Sequence, residues 1–232
     1  MPWQSRLAAV GQATAAALLA FLLAGEAGAA SFCTEPPQAA AVEVGATAPQ
    51  VEVDHGYSRK ELQWHAAEEY GYEHAEGRSV FGLTAGRIRS QLFVHTLTET
   101  RRSGQRCVWP SRLVAELAYD EPIKVYVARE YRPGSCQYKA VLAHEMKHVE
   151  VLRETLEDYR RRLRAALQQA LEKGFFPYTG QDGELVAARL RRYFEVPYRK
   201  ALTEAERERD RRNAALDTPE SYRRTRAACR SW

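Results

Sequence analysis

The segment AVLAHEMKHVEVL, residues 140–152, places two imidazoles and one carboxylate in the pattern H-E-x-x-H. If the segment is helical, His144 and His148 lie one turn apart on the same face. Both rings can then reach one ion at about 2.0–2.1 Å from each coordinating nitrogen. Glu145 lies about 100° further around the helix, where it reaches a water bound to that ion rather than the ion itself. The pattern therefore predicts a metal site with its own general base, the arrangement for metal-assisted hydrolysis.

A long helix is predicted to carry this motif. Ser135 is a suitable N-cap, and the helix should run from about residue 136 to 173, with Gly174 ending it. Its apolar face is formed by residues at spacings of three and four, which are Val141, Leu142, Leu152, Leu156, Tyr159, Leu163, Leu167 and Ala170.

The segments around the motif helix predict an α+β fold. Ser58 and Glu61 stand in capping-box spacing, so a short helix should begin at Ser58. Alternating apolar residues between about 78 and 129 predict three or four antiparallel strands. The tail, residues 182–232, should be helical, with an interruption near Pro197 and a break at residues 217–219. We therefore expect one domain over residues 55–232, in which a small antiparallel sheet packs on the long motif helix and a helical C-terminal tail follows.

A metal site of this kind needs a third protein ligand. Glu150 lies about 200° around the helix from His148 and faces away, so the ligand should come from another segment. The carboxylates of the tail are the candidates, with Asp217 first and Glu195 or Glu220 next. Asp217 also suits the role of an ordinary helix N-cap, and this alternative stays open.

Several segments in order, SRKEL, VFGLTAG, QRC, VYVARE and AHEMKHVEV, resemble the zincin-like metallopeptidases. The chain is most similar to a group of exported bacterial zinc peptidases without an established function. The resemblance covers roughly residues 56–158. It implies zinc on His144 and His148 and a catalytic role for Glu145.

The resemblance also bears on the third ligand, and it has limits. The segment LDTPESY, residues 216–222, resembles a late aspartate-containing segment of the same group, with Tyr222 near the place of a histidine. Lys147 is charged where zincins prefer an uncharged residue. Neither the extended histidine motif of metzincins nor the N-E-x-x-[SA]-D signature of thermolysin-like enzymes follows His148.

The N-terminal segment predicts export. An arginine, an apolar run and small residues near Ala29 and Ala30 form the pattern of a signal peptide over residues 1–30. The apolar run is short for the alternative, an uncleaved membrane anchor. Residues 31–54 are rich in Pro, Ala and Val and predict a loose leader. The mature protein should be periplasmic or secreted, with no stable membrane insertion.

Four cysteines in an oxidising compartment predict two disulfides. The favoured pairing is Cys107–Cys136, from a strand to the start of the long helix, together with Cys33–Cys229, which would join the two ends.

The composition fits a globular protein rather than one that binds nucleic acid. Hydrophobic residues make up 45%, charged residues 28%, and the formal net charge is +4. The basic clusters at 159–164 and 223–226 alternate with acidic residues along predicted helices, as on solvated helix faces.

The sequence thus favours an exported zinc metallopeptidase that acts on a peptide or protein substrate. Two alternatives remain. One is a non-enzymatic cell-envelope interaction protein in which H-E-x-x-H is incidental. The other is a zinc amidase with a non-protein substrate.

Overall fold

A computed structural model describes Cys33 and residues 38–70, 80–174 and 176–232. The predicted signal peptide lies outside these residues. Gln38–Trp232 forms one compact unit. In chain order its elements are β1 (Ala41–Ala46), β2 (Val51–Asp54), α1 (Arg59–Tyr70), β3 (Gly82–Ala85), β4 (Ile88–Thr100), β5 (Arg106–Tyr119), β6 (Ile123–Val127), α2 (Cys136–Lys173), β7 (Tyr178–Gly180), α3 (Gly183–Leu216) and α4 (Pro219–Ala227).

The fold is α+β, as predicted, but the strands form two mixed sheets rather than one antiparallel sheet. The first has the order β1-β5-β4, with β7 also paired to β5, and the second has the order β2-β6-β3. The pairs β4–β5 and β3–β6 are antiparallel, while β1–β5 and β2–β6 are parallel.

The prediction of a loose leader is wrong for residues 41–54, because this segment supplies β1 and β2. Val44 is buried, and β1 pairs with β5 in the register Ala41↔Arg112 to Ala46↔Leu117. Parallel partners of this kind are joined by long connections, so no nearby turn signals the pairing.

The N-terminus of α1 confirms the capping box. The Ser58 backbone N–H donates to Glu61 Oε2 at 2.6 Å, and the Glu61 backbone N–H donates to Ser58 Oγ at 3.2 Å. Two backbone donors at the helix start are thereby satisfied by local side chains.

Helix α2 has the predicted bounds. The Ser135 side chain accepts a hydrogen bond from the Tyr138 backbone N–H at 3.1 Å, and the helix ends before Gly174. Its apolar face and that of α3 pack with the β1-β5-β4 sheet in the main core. The buried residues of the two helices in this core are Leu156, Tyr159, Leu163, Leu167 and Ala170 on α2 and Val186, Leu190, Phe194, Tyr198, Ala201 and Ala205 on α3.

Helix α3 is continuous through Pro197, so the predicted interruption there is wrong. A proline removes one backbone donor and crowds the preceding turn, at a cost of about 3 kcal/mol in a helix interior. Phe194 and Tyr198 are both buried on either side of it. Burial of the apolar face of α3 against α2 and the sheet therefore outweighs the helix-breaking tendency of Pro197.

The disulfide Cys136–Cys229 joins the N-terminus of α2 to the residues just after α4, with a Cα–Cα distance of 5.8 Å. Both favoured pairings are therefore wrong. The other two cysteines, Cys33 and Cys107, are also disulfide-bonded, so the prediction that all four cysteines are oxidised is confirmed. Among the described helices, none has the length and hydropathy required to cross a bilayer.

Candidate metal centre

His144 and His148 face the same side of α2, with their ring centroids 5.2 Å apart. Both residues are buried, with relative exposures of 5% and 8%. Two buried imidazoles this close together on one helix face can contribute to the same metal site.

Asp217 reaches both rings. Its Oδ1 lies 3.3 Å from His144 Nε2 and 3.2 Å from His148 Nε2. Two ligand atoms at about 2.0–2.1 Å from one tetrahedral ion lie about 3.3–3.4 Å apart, so these spacings match a shared ion. Each of the three residues offers one ligand atom, and these atoms lie within 4.8 Å of one another. The group can therefore hold a metal ion.

The chain positions Asp217 at the junction of two helices. Asp217 ends α3, and the N-cap of α4 is Thr218, whose side chain accepts from the Ser221 backbone N–H. The alternative that Asp217 is an N-cap is therefore wrong. Its side chain is 38% exposed while the two histidines are buried, so the centre opens to solvent on the side of Asp217.

The other two candidate ligands do not join the cluster. Glu195 pairs with Arg199 at 2.7 Å, one turn away on α3. Glu220 pairs with Arg223 and Arg224 within α4. Both carboxylates are thus engaged in exposed ion pairs on their own helices.

Asn213 orients His148, a role that was not predicted from the sequence. Asn213 lies one turn before Asp217 on α3, and its Oδ1 is 3.1 Å from His148 Nδ1. Because an amide oxygen only accepts, His148 Nδ1–H donates to it, which leaves Nε2 directed toward Asp217. The spacing of four residues between Asn213 and Asp217 is the only signal in the sequence for this pairing.

Glu145 is buried beside the two histidines. Burial raises the pKa of its carboxyl, against the opposing effect of the nearby charges of His148 and His144. The Thr84 hydroxyl on β3 donates to Glu145 Oε2 at 2.9 Å. A carboxylate with a raised pKa suits a general base that must release its proton again.

The pKa values of His148 and Asp217 are shifted in opposite directions by their interactions with each other and with their neighbours in the metal-free centre. Burial alone would lower the pKa of His148, but the hydrogen bond to Asp217 and the charges of Glu145 and Asp217 raise it to about 9. Burial would raise the pKa of Asp217, yet the hydrogen bonds from His144 and His148 lower it well below its usual range. The centre thus holds an ionised carboxylate against a protonated imidazole at neutral pH.

Tyr222 completes the surroundings of Asp217. Its hydroxyl donates to Asp217 Oδ1 at 3.1 Å, and its ring centroid lies 5.5 Å from that of His144. Tyr222 lies on α4, so this helix brings a phenol to the same carboxylate that α3 presents.

Comparison of the chain with protein-family models, curated proteins and solved structures finds no match.

Proposed function

We propose that this protein is an exported zinc-dependent metallopeptidase. The observation that carries the proposal is the approach of Asp217 Oδ1 to the Nε2 atoms of both His144 and His148. In this proposal the three residues bind the ion and Glu145 is the catalytic base.

The ligand set favours zinc. Two imidazole nitrogens and one carboxylate oxygen form a common ligand set of catalytic zinc sites, in which water takes the fourth position. Calcium and magnesium prefer oxygen ligands alone. The exposed side of Asp217 leaves room for water and substrate to approach.

The roles of the side chains follow from their positions. Zinc, when bound, supplies a water of lowered pKa and polarises the carbonyl of the substrate. Glu145 takes the proton and returns it to the leaving amine, a role that suits a buried carboxyl of raised pKa. The Tyr222 hydroxyl donates to Asp217 Oδ1 and would have to break this hydrogen bond before it could donate to the oxyanion of the transition state.

The second sheet offers a place for an extended substrate. β3 lies at the edge of the order β2-β6-β3 within the described part of the chain, and α2 packs against it. An extended peptide can add to such an edge through backbone hydrogen bonds. Thr84 on β3 contacts Glu145, so a peptide on this edge would lie near the proposed base.

Export is part of the proposal. Disulfides persist in oxidising compartments and are rare in the cytosol. All four cysteines of this chain are oxidised, which supports a periplasmic or secreted protein.

The test combines metal analysis with cleavage. We expect the oxidised mature chain, purified without chelator, to contain about one zinc by mass spectrometry, because a site with three protein ligands holds one ion. His148→Ala should lose the zinc. Glu145→Gln should keep it and lose cleavage of a mixed peptide library.

The control for this test is Glu150→Gln, which alters an exposed carboxylate on α2 that pairs with Arg153. It should keep both zinc and cleavage. A chain without zinc would contradict the metal centre. A chain with zinc that cleaves non-protein amides but no peptide would make it an amidase.

A further inference from the structure

β3 lies beside the Glu145 carboxylate and contacts its Oε2 atom. Thr84 Oγ1 lies 2.9 Å from Oε2 and 3.1 Å from the Glu145 backbone oxygen. Oε1 lies against Gly82 of the same strand. Residues 82 and 84 are two apart, so they face the same side of the strand, here toward α2.

The Thr84 hydroxyl has one proton for two acceptors. The side-chain oxygen Oε2 is the closer of the two, at 2.9 Å against 3.1 Å, so it is the preferred acceptor. Threonine is branched at Cβ and has a restricted χ1 angle, so the hydroxyl is held in place by its own strand. The hydrogen bond to one carboxylate oxygen therefore sets the orientation of the whole Glu145 carboxylate against β3.

Gly82 permits this contact. A Cβ at position 82 would lie 2.7 Å from Glu145 Oε1 and 2.7 Å from Val141 Cγ1. Any side chain there would push β3 away from α2 or turn the carboxylate. The strand approaches the helix closely enough for Thr84 to reach Glu145 because position 82 is glycine.

We propose that Thr84 is a positioning residue for Glu145, and that Gly82 allows the approach on which this role depends. The proposal rests on the proposed function, since positioning has a catalytic consequence only if Glu145 is the base. In this role the Thr84 hydroxyl holds the Glu145 carboxylate in one orientation before substrate arrives.

The test compares Thr84→Val, which keeps the shape and removes the hydroxyl, with Thr84→Ser, which keeps the hydroxyl. Thr84→Val should lower kcat by about 10- to 100-fold, as expected for a misplaced catalytic group, with zinc content and KM nearly unchanged. Thr84→Ser should restore most of kcat. An unchanged kcat in Thr84→Val, or an equal loss in Thr84→Ser, would overturn the proposal.

The role of Gly82 is tested with Gly82→Ala, and Gly45→Ala is the matched control. Gly82→Ala should lower kcat and destabilise the fold. Gly45→Ala on β1, where an added Cβ has nothing within 4 Å, should do neither. Equal behaviour of the two variants would overturn the role given to Gly82.

A second measurement separates this proposal from the proposed function. Thr84→Val should reduce the folding equilibrium constant several-fold more with Glu145 present than in a Glu145→Ala background, because there the hydroxyl keeps only the backbone oxygen of residue 145 as an acceptor. If the wild-type protein cleaves no peptide, the peptidase proposal fails, and this comparison still decides whether Thr84 holds Glu145. Equal effects in the two backgrounds would overturn the contact.

Discussion

Asp217 Oδ1 lies 3.2 Å from His148 Nε2, although 69 residues separate them in the chain. Asp217 lies where α3 ends, and His148 lies in the first half of α2. The packing of α3 along α2 therefore brings the carboxylate to the imidazole.

Removal of this carboxylate should weaken metal binding strongly. For Asp217→Ala we expect zinc affinity to fall by more than about 100-fold, beyond the 10- to 100-fold typical of residues that only orient a ligand. Competition with a chromogenic chelator measures the change. Asp210→Asn, an exposed carboxylate on the same helix, is the matched control and should bind zinc like the wild type. Equal affinities of Asp217→Ala and wild type would exclude Asp217 as a ligand.

Asn213 should affect the metal through His148. Asn213→Ala removes the acceptor for His148 Nδ1–H, so zinc affinity should fall by about 10- to 100-fold. Asn213→Asp keeps an acceptor at this position and should retain affinity near that of the wild type. The chelator assay applies again, with far-ultraviolet circular dichroism to show that the fold is kept. A similar loss in both variants would argue against the hydrogen bond.

Zinc binding should release protons at neutral pH. The pKa of His148 in the metal-free protein is raised to about 9, so its ring is protonated at pH 7 and must lose a proton to bind metal. Titration calorimetry in two buffers of different ionisation enthalpy should give about one proton from His148 per zinc at pH 7, since each ligand binds deprotonated. Apparent zinc affinity should fall as the pH drops below about 9. Binding enthalpies that do not depend on the buffer would contradict a protonated His148.

The same shift has a consequence for the metal-free fold. A raised pKa means that the folded state binds the proton more tightly than the unfolded state. The stability that the His148–Asp217 pair contributes should be present below the usual pKa of 6.5 and lost as the pH rises through about 9. Chemical denaturation of the metal-free protein across this range measures it, with Asn213→Ala showing a smaller loss.

The disulfide Cys136–Cys229 should support both stability and metal binding. It closes a loop with a sequence separation of 93 residues, and its removal should lower the free energy of unfolding by about 2–5 kcal/mol. The double variant Cys136→Ser/Cys229→Ser should also bind zinc more weakly, because α4 and Tyr222 lose their tether. Thermal unfolding with and without zinc measures both effects. A variant of lower stability with unchanged zinc affinity would show that α4 stays in place without the bond.

The parts of the structure that local rules control were predictable. The two ends of α2, at Ser135 and Gly174, were predictable because the start and end of a helix depend on nearby side chains and backbone groups. His144 and His148 share a face because they lie four residues apart on that helix.

Features that depend on distant contacts were not predictable. Four cysteines allow three pairings, and the approach of α4 to the start of α2 decides between them. The parallel strands β1 and β2 pair with strands about 70 residues away, so no hairpin signal accompanies them. The contact between Thr84 and Glu145 depends on the close packing of β3 against α2, which no single segment encodes.

The order of the ligands along the chain also bears on biosynthesis. Both imidazoles leave the ribosome well before the aspartate, so a nascent or truncated chain that stops ahead of residue 217 carries an incomplete ligand set. The complete set of three candidate ligands then exists only after α3 has been synthesised and has packed against α2. Under the proposed function, the chain would therefore gain its hydrolytic activity only after Asp217 has been synthesised.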